Sequence, residues 1–354
     1  MKVLIDIGHP AHAHFFKNPI KLLQERGHHI IVTSRDKEFA VDLLDEMHIS
    51  HYPLSRLGKG GLFSLAKELI QRDISLYKII KKHNIEIMAA IGGVSISHIT
   101  RVTGIPSLVF YDTENAKLQN IITYPFASQV IVPRCYHAWL PKNRNLRYDG
   151  YHELSYLHPA YFLPNKQLAI KNGLAVNGDT FFIRVVSWQA SHDVGEQGWD
   201  RALLERVVSK LASLGRVIIS SETPLPGSLQ AYAYRGNLSE VHHVLAYSKA
   251  FVGESATMAS ESAVLGVPAI YAAETGRGYT DEQEHLYGLV RNLRTVAWNE
   301  LNRLIDEVLK KPRSYWQSAR QQLLKDTIDV ARFIVQQIET FPEQPSLNRN
   351  PVEN

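Results

Sequence analysis

The sequence predicts an α/β protein of two domains with like architecture, each a parallel sheet covered by helices on both faces. Three observations carry that expectation. A chain of 354 residues with 45% hydrophobic content is longer than one typical core of about 150 residues accommodates. Short apolar runs alternate with stretches of helical spacing as far as residue 132, and strands separated by helices pair in parallel through right-handed crossovers. The alternation fails over residues 146–164, which are rich in aromatics and proline, and begins again at residue 180.

In order, residues 2–7 form an apolar run ending at Gly8, and 15–26 place Phe16, Ile20 and Leu23 on one helical face before Gly27 closes the segment. Residues 29–33 read as a strand, 38–47 and 63–82 as helices, and 85–90 as a strand running into the Gly92-Gly93 turn. A helix over 95–102 and strands over 107–110 and 129–132 complete the first series. The second series has strands at 180–185, 217–220, 250–252 and 268–271, with helices at 199–214, 238–247 and 257–265. Helices are expected over 300–338, and the proline- and asparagine-rich end reads as a tail. The expected boundaries are 1–160, 161–340 and a flexible 341–354.

Composition excludes several classes. No run of about 18 apolar residues occurs, and the first residues lack the charged and then apolar regions of a secretory signal, so a cytoplasmic chain is expected. The single cysteine, Cys135, excludes an internal disulfide and a multi-cysteine metal cage. Residues 1–160 carry 19 Lys/Arg against 14 Asp/Glu, and the remainder 20 against 21. The basic first half suits an anionic acceptor or a peripheral contact with the negatively charged inner membrane leaflet. No basic cluster interleaved with aromatics points to nucleic acid.

The most informative stretch is GESATMASESAVLGVP, residues 253–268, lying between two strands. Small and hydroxyl residues stand where a helix begins, so its free N–H groups, with Ser255 and Thr257, can receive a phosphate or diphosphate. Glu261 follows one turn after Thr257, and a carboxylate accepts the paired hydroxyls of a ribose. The plainer alternative makes Ser255 and Thr257 helix caps and Glu261 a solvated residue.

In the first half, His9, His12 and His14 follow Gly8 at the carboxyl end of the first strand. Pro10 and the lack of acidic or cysteine partners argue against a metal site, so no metal is expected; Gly8 permits close approach to a substrate, and a histidine can act as acid or base. Asp112 and Glu114 follow a further strand, and with His14 they are candidates for the base that deprotonates an acceptor hydroxyl. In the second half Arg184, Ser187 and His192 surround the end of the first strand and can hold phosphates, while Ser221 and His243 occupy loop and helix-start positions suited to a base-binding wall.

The 253–268 element resembles the nucleotide-sugar signature of GT-B glycosyltransferases and of non-hydrolysing UDP-N-acetylglucosamine 2-epimerases. That resemblance implies a diphosphate role for Ser255 and a ribose role for Glu261. Asp281-Glu-Gln283 is similar to the acidic-glutamine segment with which the peptidoglycan N-acetylglucosaminyltransferase contacts its donor sugar, which implies such a contact for Gln283. GHPAHAHFFKN, GYHELSYLHP, SWQASHDVG and the 253–268 element together resemble an uncharacterised family of bacterial and archaeal predicted glycosyltransferases over nearly all of residues 1 to 340. Glu114 matches a glutamate of the epimerases, whereas their upstream aspartate meets Gly92-Gly93 here. The resemblance implies a GT-B fold with two Rossmann-like domains facing a cleft, the first for acceptor and the second for donor. It further implies metal-independent transfer from a nucleotide sugar, UDP-linked by preference, to a saccharide or lipid-linked acceptor, with no resident cofactor. A nucleotide-sugar epimerase or hydrolase, and a non-catalytic nucleotide-sugar-binding protein, are the alternatives.

Overall fold

The computed structural model describes residues 1–36, 40–56, 62–186 and 198–341. Two compact units emerge, one running from Met1 to Tyr156 and again from Ile328 onward, the other from Leu157 to Thr327.

The first unit holds β1 (Lys2–Ile7), β2 (His29–Asp36), β3 (His51–Arg56), β4 (Ile87–Ile91), β5 (Ser107–Phe110), β6 (Gln129–Pro133) and β7 (Asn145–Tyr148). They form one sheet in the order β3-β2-β1-β4-β5-β6-β7, every neighbouring pair parallel. Its central strands read as continuous apolar runs because helices cover both faces; Ile87, Met88, Ala89 and Ala90 are all buried. The second unit holds β8 (Thr180–Val185), β9 (Arg216–Ser221), β10 (Ala250–Gly253), β11 (Ala269–Ala272) and β12 (Val290–Leu293). These too are all parallel, in the order β12-β11-β10-β8-β9.

Strand order locates the binding end of each sheet. In the first, the chain fills one side through β2 and β3 and then turns to the other with β4, so the direction reverses at β1/β4. In the second it reverses at β8/β10. Ligands of open parallel sheets bind beyond the carboxyl ends of the strands at such reversals. The loops at those places carry Gly8–His12 and Gly92-Gly93 in the first unit, and Glu254-Ser255 in the second.

Three features depart from the sequence expectation. Pro10 does not break the first helix but opens it: the helix spans Pro10–Glu25, with His9 as its cap, because a proline ring presets the first helical turn and needs no N–H there. The strand-and-helix alternation, expected to fail from residue 146, continues through β7, whose Leu146 and Tyr148 turn inward while Asn145 and Arg147 stay exposed. The last helix, Val330–Thr340, expected with the second domain, belongs to the first unit. Val330, Ala331, Ile334, Val335 and Ile338 are buried there, Glu339 accepts from Arg26 at 2.6 Å, and Ile328 donates its N–H to Asp149 at 2.8 Å. A helical stripe shows that one face is buried without naming the surface that buries it.

Candidate functional site

At the β8/β10 reversal, backbone packing is close. Gly253 lies in register with Arg184, a Cβ at Gly253 would collide with the Arg184 carbonyl, and that carbonyl accepts the Glu254 N–H at 3.0 Å. Glycine is therefore required at the end of β10. The next residues turn into the helix Ala256–Val264, capped by Ser255, whose Oγ accepts the Met258 N–H at 3.2 Å. The cap role of Ser255 leaves its hydroxyl proton able to donate outward. The N–H groups of Ala256 and Thr257 lie in the first turn, where the helix offers no acceptor.

Glu254, which sequence reasoning passed over, holds the local backbone. Its carboxylate accepts from Val186 N at 3.1 Å and from Trp199 N at 2.7 Å. Burial raises its pKa, those two N–H bonds work against the rise, and the charge of Glu222 adds to it. Trp199 donates its indole N–H to Ala272 at 2.9 Å, so Glu254 ties the ends of β8 and β11 to the start of the helix Arg201–Ala212. Its position directly after the strand-ending glycine was the available signal.

The other second-unit candidates divide. Arg184 reaches Ser220 Oγ at 2.8 Å and Glu222 at 2.7 Å, remaining partly exposed beside the same reversal. Ser221 closes a local turn with Thr223, donating to its carbonyl at 2.6 Å. His243 accepts the Asn165 N–H at 3.1 Å and stacks on Phe162, fastening the helix Lys166–Lys171 rather than lining the crevice. Glu261 is buried and bonded to the buried His242 Nε2 at 2.8 Å. Gln283 is fully enclosed, donating to Ser260 Oγ at 2.7 Å. Both side chains are buried in this structure, and each is held by a neighbouring side chain of the second unit. Ser187 and His192 lie outside the described residues.

In the first unit the β1/β4 reversal brings Gly8, His9 and His12 beside Gly92-Gly93. His9 Nδ1 accepts from Ala11 at 3.2 Å and His12 Nδ1 from Gly8 at 3.3 Å, so the two rings take separate backbone partners. Gly92 and Gly93 have φ of +72° and +40°, and a Cβ on either would overlap the side chain of Gln119 or Val109. His14 is turned inward and stacked on Tyr156, 5.3 Å between ring centroids.

After β5, Asp112 Oδ2 lies 3.1 Å from His152 Nδ1, and Thr113 Oγ1 donates to Asp112 at 3.0 Å. Burial opposes the Asp112 charge, but His152, by charge and hydrogen bond, then Thr113 and the charge of His12 outweigh it and bring the pKa to about 2. Glu114 is buried, 3.4 Å from His137. The geometry thus joins Asp112 to His152, a residue quoted in a family motif without a role. Forty residues separate it from Asp112, and no spacing rule joins them.

The comparisons with known proteins agree with the two-sheet architecture. An uncharacterized protein of Methanocaldococcus jannaschii is 24% identical over 291 residues, 76% of this chain and 81% of that protein. The UDP-GlcNAc 2-epimerase of Neisseria meningitidis, solved bound to UDP-GlcNAc, superposes with a TM-score of 0.67 at 15% identity, covering 97% of this chain and 100% of that one. MurG of Acinetobacter baumannii superposes with a TM-score of 0.59 at 15% identity, covering 96% and 100%. The fold is that of the GT-B proteins, which glycosyltransferases and nucleotide-sugar epimerases share. The family described as "Protein of unknown function (DUF354)" matches residues 1–338, and the chain belongs to it.

Proposed function

We propose that the protein is a metal-independent glycosyltransferase that moves a sugar from a nucleotide-sugar donor, UDP-linked by preference, to a saccharide or lipid-linked acceptor in surface-polysaccharide or glycoconjugate synthesis. One observation supports the reading: at the β8/β10 reversal the Gly253 turn packs on the Arg184 backbone and leads directly into the start of the Ala256–Val264 helix, capped by Ser255. A helix start with unpaired N–H groups supplies a fixed positive field of the kind a departing diphosphate needs.

In the proposed reaction the acceptor oxygen attacks the anomeric carbon as the bond to the diphosphate breaks, and the bonding pair leaves on the diphosphate. The acceptor proton passes to a first-unit base. Asp112, too acidic for that task, orients the His152 imidazole, which is the base; Glu114 and His14, buried like His152, are the remaining candidates. Incubating the protein with UDP-sugars, with and without saccharide acceptors, tests the reading. A glycosylated acceptor supports it, and turnover persists in EDTA. An epimer or free sugar formed without acceptor establishes instead the epimerase or hydrolase reading, which the likeness to the Neisseria enzyme favours. Binding of the UDP-sugar with no turnover of any kind points to a non-catalytic binder.

A membrane-borne acceptor is supported by the first unit's surface. No helix among the described residues is long and apolar enough to cross a bilayer. The helix Leu62–His83, however, exposes Ile70 (61%) and Ile74 (52%) on one stripe with Lys67, Lys78 and Lys81, and other segments of the first unit expose Leu118 (69%), Ile121 (63%) and Trp139 (61%). Apolar groups flanked by lysines suit an anionic lipid surface. Co-sedimentation with phosphatidylglycerol vesicles but not phosphatidylcholine vesicles, lost in Ile70→Ser/Ile74→Ser, is the expected result.

A further inference from the structure

The second unit contains a cavity of about 380 Å³ far along the sheet from the β8/β10 loops, built on the first half of the edge strand β9 and the chain that passes it. Lys171, Arg216 and Arg235 line it, and no carboxylate does. Among the described residues these three cations form no ion pair. Elsewhere in the unit Arg184, Arg201, Arg291, Arg294 and Arg303 hold carboxylates, and Arg277, Arg313 and Arg320 hold carbonyls. Of the unit's three arginines with no side-chain partner among the described residues, Arg206, Arg216 and Arg235, two line this one exposed concavity. Glu240 accepts from the amide of the lining residue Asn172 at 2.6 Å.

The wall adds a backbone donor. Ile219 accepts the Tyr234 N–H at 2.8 Å on the outer edge of β9, while Arg216 donates its N–H inward to Asp179 at 2.9 Å. Alternation along the strand then turns the Val217 N–H outward, into the cavity. Tyr232 and Tyr234 supply flat walls beside the cations.

We propose that this cavity is a second ligand site, distinct from the donor site, for a small phosphate-bearing molecule. Guanidinium forks and an ammonium match phosphate oxygens, a dianion neutralises cations that the fold leaves uncompensated, and the volume accommodates a sugar-sized body against the tyrosines. The inference does not depend on the donor reading, since the cavity shares none of its residues.

Calorimetric titration of the full chain with glucose 1-phosphate and with inorganic phosphate, each in the presence of saturating UDP, tests it. A phosphate ester that binds despite UDP, at least about tenfold more weakly in Arg216→Ala/Arg235→Ala, with UDP affinity and melting temperature unchanged in that variant, is the expected result. Equal binding of ester and inorganic phosphate assigns the site to free phosphate rather than a sugar ester. No binding to the wild type at millimolar ester, or binding that the double substitution leaves intact, overturns the proposal. Failure of UDP alone to bind counts against the donor site and leaves this cavity's test readable without UDP.

Discussion

A carboxyl with a pKa of about 2 is a poor proton acceptor at neutral pH, and that property sets what Asp112 can do. His152→Gln and Asp112→Asn are each expected to reduce turnover roughly 10²–10⁴-fold with donor affinity retained, the range for loss of a positioned base. Normal turnover in both places the base elsewhere. The same pair makes a pH statement. A depressed carboxyl pKa contributes stability that is present above the unfolded value, about 3.9, and is lost as pH falls through about 2. Chemical denaturation between pH 5 and 2 is expected to fall more steeply for the wild type than for Asp112→Asn; parallel curves remove the pair from the account. Glu261 gives the second residue-scale prediction. Glu261→Ala removes a hydrogen-bond partner from buried His242, at a cost of about 1–3 kcal/mol. Urea unfolding measures that loss. Unchanged stability with weakened UDP binding restores the ribose role that the sequence resemblance implies.

Among elements, the β10-to-helix turn is the most constrained. The alternation of strands and helices, the glycine at the strand end and the serine before the helix were all legible, and the helix expected over 257–265 forms at Ala256–Val264. What the pattern hid was the collision geometry that makes Gly253 obligatory. Gly253→Ala is expected to cost about 1–3 kcal/mol or more, since the added methyl meets a carbonyl of the neighbouring strand that cannot move alone. It also shifts the start of the helix, so UDP affinity falls with stability. A thermal melt and a UDP titration on the same sample check both, and an unperturbed melt shows that the sheet relaxes at no cost.

At the scale of the whole chain, two parallel sheets with reversals at β1/β4 and β8/β10 account for where the candidate residues collect. The return of the chain to the first unit after Ile328 makes the two units unequal in their dependence on the C-terminal region. A chain ending at Thr327 exposes the apolar surface that Val330, Ile334, Val335 and Ile338 cover. Calorimetry of that truncation is expected to show the first unit's transition lowered or lost while the second unit's persists. Equal lowering of both contradicts the division.

The sequence by itself determined the class of the fold, its two-sheet organisation and the strand ends where the candidate residues lie, because hydrophobic period and glycine placement act over a few neighbouring residues. Gly8, Gly92-Gly93, Gly253 and Ser255 were readable for that reason. Tertiary structure alone decided which side chains meet: that Asp112 faces His152, that Glu261 and Gln283 turn into the packing, that Glu254 clasps Val186 and Trp199, and that the last helix closes the first unit. Each of those contacts joins residues that are distant in the chain, and a local pattern states whether a face is buried but not what lies against it.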